Sequence, residues 1–256
     1  MTQNAKLPPA IRPVTWSDFM ASLALGVKDF RSALWIDLCL ACVFVLAGLG
    51  MAVVTVMTGQ TFWLVLAVLG FPMVGTLAAV GFYEVSRQRS RGVRPGLRQV
   101  AGLIWNARIG QIPWLAAIVV VIFLFWFFIG HMIFALFLGL APMTNISTSL
   151  AVFLTPPGLT MIAVGTVVGA MFSGLVLALS VHAMPMLLDR DVDFITAMLR
   201  SLSAVLEQPV AYLVWGAFIG VVTLLSALPV FLGLFVTMPV LGHASWHLYR
   251  RLVTDS

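Results

Sequence analysis

Six long apolar stretches alternate with polar ones along the chain, at about 36–57, 62–83, 112–138, 158–182, 209–226 and 230–248. Each comes close to the roughly 20 residues with which a helix crosses a hydrocarbon core about 30 Å thick. The pattern predicts an all-α membrane protein with six transmembrane helices, since a helix satisfies its own backbone in lipid. The first stretch follows 35 residues of mixed composition, with no short apolar region near Met1, so a cleaved signal peptide is not expected.

Ahead of each odd-numbered span lies a segment too polar to insert but periodic enough to rest at an interface. In the first, Trp16, Phe19, Met20, Leu23, Val27, Phe30 and Leu34 recur at helical spacing, Asp18, Ser22 and Asp29 take the other side, and Thr15 with Asp18 reads as a capping box. The second, about 95–108, sets Leu97, Val100, Ala101, Ile104 and Trp105 on one stripe with Arg94 and Arg98 outside it. The third, about 192–207, sets Ile195, Met198, Leu199, Leu202, Val205 and Leu206 on one stripe, with Asp191 and Asp193 at its N-terminal end, where the helix dipole favours acids. Three amphipathic surface helices are therefore expected, forming a collar anchored by Trp16, Trp35, Trp105 and Trp246. Each precedes a membrane hairpin, which suggests three tandem units at about 16–90, 92–185 and 190–250 within one six-span domain, 16–250. A flexible N-terminus, 1–15, and a short tail, 251–256, would flank it.

Charge fixes the orientation. The chain has 14 Lys and Arg against 9 Asp and Glu, and charged residues are 9% of the total, where a soluble domain carries about 25%. A water-soluble enzyme is excluded. All the cations lie before span one, between spans two and three, between four and five, or after span six, and the other connections have none. Both termini are therefore expected on the cytoplasmic side of the membrane. The net charge of +5 suits an anionic inner leaflet, so lipid is the expected partner and nucleic acid is not.

Packing signals are Gly165, Gly169 and Ser173, a small-residue stripe on span four, and Pro72 and Pro239 inside spans two and six. The outer connection from Pro142 to Pro157 is polar without charge.

Few residues could carry chemistry. His243 and His247 share a face of span six, His182 ends span four at the same level, and Cys39 and Cys42 enter span one at a similar depth. These five are the only metal-ligand candidates, and no cofactor is expected: the bland reading has the imidazoles and Asp37 hydrogen-bonding at the wet end of the bundle and the thiols packing as small hydrophobes. A lone CxxC inside an apolar span lacks both the redox-motif setting and the second pair of a zinc site. His131, in the outer half of span three, must find a partner, and an inter-helix hydrogen bond is expected. Glu84 and Arg87 suggest a local ion pair. No nucleophile, phosphate-binding or metalloprotease motif occurs, so no reaction class is supported.

Three stretches carry a resemblance: Gly70-Phe-Pro-Met-Val-Gly through Gly81-Phe-Tyr-Glu-Val-Ser-Arg, Pro185-Met-Leu-Leu-Asp-Arg-Asp-Val-Asp, and Leu241-Gly-His-Ala-Ser-Trp-His-Leu-Tyr-Arg-Arg. Together they resemble an uncharacterised family of bacterial predicted integral membrane proteins, a domain of unknown function whose members are sometimes labelled cytochrome c oxidase proteins. The resemblance implies a bacterial inner-membrane location. It also makes Tyr83, Glu84, Arg87, Asp189, Asp191, His243 and His247 the functional candidates, beside His131. The oxidase label does not suit a catalytic subunit, because four histidines cannot ligate two haems and a copper. Three functions follow in order: a non-catalytic accessory, assembly or stabilising component of a membrane complex, a respiratory one included; a small-solute transporter or channel; and a haem- or metal-binding redox protein.

Overall fold

The computed structural model describes residues 10–58, 79–107, 109–139 and 150–254. A short strand β1 (Ala10–Ile11) is followed by the helices α1 (Trp16–Ser32), α2 (Leu34–Thr58), α3 (Val80–Ser90), α4 (Leu97–Ala107) and α5 (Ile112–Leu138). A 3₁₀ turn, Leu150–Leu154, then precedes α6 (Pro156–Ser180), α7 (Ala183–Asp189), α8 (Phe194–Glu207), α9 (Pro209–Ala227), α10 (Leu234–Leu252) and β2 (Val253–Thr254). The fold is that of an all-α membrane protein. Among the described residues, four helical stretches are long and apolar enough to cross a bilayer: 34–58, 112–138, 156–189 and 209–227.

Two of the six expected spans are not among these four. Most of the second, 62–83, lies outside the described residues, with Pro72. The sixth corresponds to α10, whose last three turns carry His243, His247, Arg250 and Arg251 and are too polar for lipid contact. The structure resolves that conflict by enclosing α10, which packs most extensively on α1 and also touches α2, α3, α7 and α9. The outward faces of α5 and α6, by contrast, expose Leu124, Phe125, Phe128, Val167 and Met171. Apolar residues outside and polar residues on the enclosed helix are what a hydrocarbon solvent selects.

The surface helices follow the same rule. On α1 the positions spaced by four, four and three, namely Asp18, Ser22, Gly26 and Asp29, face inward, while Trp16 and Met20 face out. Gly26 sets the approach: a Cβ there would lie 2.6 Å from the Val240 carbonyl oxygen and 2.9 Å from the Ala244 nitrogen, so only glycine lets the two backbones meet. On α8, Ala197, Ser201, Ala204 and Val205 face inward against α6 and α7, and Ile195, Leu199 and Leu206 face out. The apolar stripes read from the sequence thus send Trp16, Met20, Ile195, Leu199 and Leu206 outward, while Leu23, Val27 and Leu202 are half-buried and Val205 faces in. Phe19 is buried too, stacked on Trp215 with ring centroids 5.0 Å apart.

The ends of the chain are fastened together. β1 pairs antiparallel with β2, Ala10 opposite Thr254, and the Arg12 N–H donates to the Leu252 carbonyl at 2.9 Å. Residues 10–15, from the segment expected to be a flexible N-terminus, and residues 251–254 of the expected short tail pack with the bundle, with Val14 buried among Phe19, Leu248 and Leu252.

Candidate functional site

At the arginine-bearing end of the molecule, α10 meets α1, α2 and α3, and each helix contributes polar side chains to one buried network. His243 is the hub. Its Nε2 lies 3.0 Å from Asp37 Oδ2 on the first turn of α2, and its Nδ1 lies 2.8 Å from Ser86 Oγ and 3.1 Å from the Phe82 carbonyl oxygen, both on α3. The Ser86 hydroxyl donates to Asp29 Oδ2 at 2.7 Å. The same Asp29 oxygen lies 2.8 Å from His247 Nε2, one turn beyond His243, while Arg89 Nε donates to Asp29 Oδ1 at 2.9 Å. Asp37, Ser86 and His243 are wholly buried. Burial pushes the Asp29 carboxyl up, but hydrogen bonds from His247, Ser86 and Arg89 and attraction to His247 outweigh it and hold the group at about 2.

Local sequence explains the convergence. His243 and His247 are one turn apart on α10, Phe82 and Ser86 one turn apart on α3, and Gly242 lets α3 come close, since a Cβ there would sit 2.8 Å from Phe82 Cβ. An Asp–His–Ser row superficially matches a nucleophilic triad. Here it has no nucleophile to offer, because the hydroxyl is sealed from solvent and its hydrogen is directed to Asp29.

Two neighbouring clusters tie the same end. Asp18 accepts from both Arg12 guanidinium nitrogens, at 2.8 and 2.9 Å, from Arg251 Nε at 3.2 Å, and from the Thr15 N–H and hydroxyl as the acid half of the expected capping box. The Arg12 fork, working against burial, holds this carboxyl well below the usual carboxylate range. Asp189 accepts from Tyr249 at 3.2 Å and Arg250 at 2.8 Å.

Each sequence candidate has a definite place. Glu84 forms the local ion pair with Arg87 at 2.6 Å, and Arg87 reaches the Leu188 carbonyl. Tyr83 is buried and packs beside Trp246. Asp191 is exposed. His182 is buried with Nε2 2.6 Å from the Tyr212 hydroxyl, in contact with neither His243 nor His247. Cys39 is exposed and Cys42 half-buried on α2, and neither joins the histidines. His131 lies 2.9 Å from the Phe127 carbonyl of its own helix and against the Phe127 ring. Gly165 has open space beside it, and Gly169 faces the Trp126 indole. Among the described residues no cluster of three His, Cys, Asp or Glu has a metal-holding arrangement.

Asp29, Ser86 and Arg89 were not among the candidates, yet the network runs through them. The inward row Asp18, Ser22, Gly26 and Asp29 is the signal that points to the first of these, and Ser86 lies within the Gly81-to-Arg87 stretch that carries the resemblance.

A separate cavity of about 460 Å³ lies among α6, α9, α10 and the start of α3. Its walls include Ala170, Ser173 and Gly174 facing Gly216, Ala217 and Gly220.

Residues 63–189 match the family model described as "Predicted integral membrane protein (DUF2189)". No curated protein and no solved structure matches the chain.

Proposed function

We propose, from the match of residues 63–189 to that family of predicted integral membrane proteins, that the protein is a non-catalytic component of the bacterial inner membrane, acting as an accessory, assembly or stabilising protein of a membrane complex, a respiratory one included. In this reading the segment 62–83 and α10 complete six crossings, both termini face the cytoplasm, and α1, α4 and α8 form a collar on an anionic leaflet, each heading one of three tandem units. One observation supports it above the rest: the ionisable groups at the junction of α1, α2, α3 and α10 pair with one another inside the protein, while the surface left for partners is apolar. Such a molecule binds through its outer faces and performs no chemistry there. The collar reading draws on Lys28, Arg31, Arg91, Arg94, Arg98 and Arg200, all exposed, as are Trp16, Trp35 and Trp105.

Purification in mild detergent followed by mass spectrometry tests the proposal. A stoichiometric protein partner is expected; repeated isolation of a lone monomer overturns it. For the topology, cysteines placed at Arg94 and Arg250 should label from the same compartment, and labelling from opposite compartments removes the six-span scheme.

The cavity favours a second reading, a small-solute transporter or channel. Filling it with Gly220→Leu should abolish solute flux in proteoliposomes, and no flux in the parent protein removes this reading. A haem or metal centre on His182, His243, His247, Cys39 and Cys42 draws no comparable support, since these side chains do not converge.

A further inference from the structure

The network contains an unbroken line of exchangeable hydrogens from a sealed carboxyl to the surface. The Phe82 carbonyl can only accept, so His243 Nδ1 at 3.1 Å carries a hydrogen, shared with Ser86 Oγ at 2.8 Å. Across the ring, His243 Nε2 and Asp37 Oδ2 stand 3.0 Å apart and hold one hydrogen between them, because two bare acceptors at that distance repel. The second Asp37 oxygen, Oδ1, is buried without a hydrogen-bond partner. That is far less costly for the carbonyl oxygen of a neutral acid than for half of a carboxylate. Beyond Ser86 the line continues to Asp29 Oδ2 at 2.7 Å, where His247 Nε2 also arrives at 2.8 Å. Asp29 and His247 both keep some solvent exposure. The charged or titratable groups gathered here are Asp29 from α1, Asp37 from α2, Arg89 from α3, and His243 and His247 from α10.

We propose that Asp37 is a buried proton-binding site that exchanges with water through His243, Ser86 and Asp29, with His247 at the mouth. In release, the hydrogen on Asp37 Oδ2 passes to His243 Nε2, the Nδ1 hydrogen passes to Ser86 Oγ, and the original Ser86 hydroxyl hydrogen passes to Asp29 Oδ2. Three bonds to hydrogen break and three form. Asp37 is left ionised, His243 stays neutral with its hydrogen on the other nitrogen, Ser86 is again a hydroxyl, and Asp29 is protonated and gives its proton to water. Uptake is the same sequence reversed, with no side-chain rotation, because imidazole can carry its hydrogen on either nitrogen. Arg89, paired with the other Asp29 oxygen, keeps Asp29 a transient carrier that readily returns to its ionised form. The inference is independent of the accessory and transporter readings, since it concerns only the exchange of a proton with the aqueous face.

Infrared difference spectroscopy on the full-length protein in lipid nanodiscs tests it. A protonated-carboxyl C=O band, assigned by its loss in Asp37→Asn, should shift on transfer to D2O. In Ser86→Ala that shift should slow about a hundredfold, the scale set by one positioned proton-transfer group, whereas Ser86→Thr, which keeps a hydroxyl, should restore the parent rate. Equal rates in the parent and Ser86→Ala, at matched thermal stability, overturn the relay. So does a parent protein with no Asp37-dependent carboxyl band, or with a band that never shifts in D2O. The parent measurement alone decides these last outcomes, whether or not Ser86→Ala folds.

Discussion

α1 and α8 both lie against the bundle with small or polar residues turned inward and bulky apolar residues turned out, yet they are held in different ways. α1 is held by charge: Asp18 is bound by Arg12 and Arg251, and Asp29 by Arg89, His247 and Ser86. α8 is held by close packing, with Ala197, Ala204 and Val205 inward and uncharged polar contacts, the His182 N–H donating to Ser201 Oγ at 3.2 Å and the Phe194 N–H to Gln111 Oε1 at 3.2 Å. Where two backbones meet over small side chains, dispersion and exclusion of lipid suffice. Where carboxylates are taken into the interface, every acceptor needs a donor, and losing one partner strands a buried charge. The α1 corner should therefore be sensitive to single substitutions and to acid, and the α8 seam much less so.

The sharpest break in this comparison is His243→Leu, which leaves Asp37 and Ser86 without their shared partner in a wholly buried place. Each buried polar group left unpaired costs about 1–3 kcal/mol, and this variant leaves two, so the midpoint of thermal unfolding in detergent should fall further for it than for any other considered below. A variant as stable as the parent would show that the network contributes nothing to holding α2 and α3 on α10. Next comes Gly26→Leu, which drives a side chain into the Val240 carbonyl and the Ala244 backbone. Overpacking of this kind costs about 3 kcal/mol, and α1 should lift off α10, opening the chain near Lys28 and Arg31 to limited trypsin digestion. Protection equal to the parent's would mean that α1 does not depend on close approach.

How far this could be read in advance differs between the two helices. The existence and period of both stripes were legible, as were the four long apolar helices, because periodicity and run length survive in any solvent. Their outward direction was not, since a stripe shows that a helix has two faces without saying which one meets the protein, and at a bilayer the apolar face turns to lipid. His243, His247 and Asp37 stood out as ionisable groups in apolar surroundings. Asp29 did not, because its partner His247 is 218 residues away and its position on α1 looked like a solvated face.

Acid should separate the helices without any substitution. The Asp29 carboxyl sits at about 2 in the folded protein, below the ordinary 3.8. A depressed folded value means that this stabilisation is fully present above the ordinary value and is lost as pH falls through the folded one. About two units correspond to about 2 kcal/mol, lost between roughly pH 4 and pH 2. Unfolding followed from pH 6 downward should show that loss in the parent and a shallower slope in Asp29→Asn. Identical slopes would mean that Asp29 titrates alike in folded and unfolded chains.

The smallest effect belongs to the packed seam. Asp193 caps α8, its Oδ1 accepting from the Thr196 N–H at 2.8 Å, and that bond, aided by neighbouring backbone N–H groups, holds the exposed carboxyl below its ordinary value. Asp193→Ala removes the cap and should cost about 1 kcal/mol, the usual worth of an N-cap. Because Ala197, Ser201 and Ala204 do not depend on it, the loss should appear as fraying of the first turn, read as faster amide hydrogen exchange at 195–197, with 201–205 unchanged. If exchange rises along the whole of α8, the seam is held at its charged end after all, and the contrast with α1 fails.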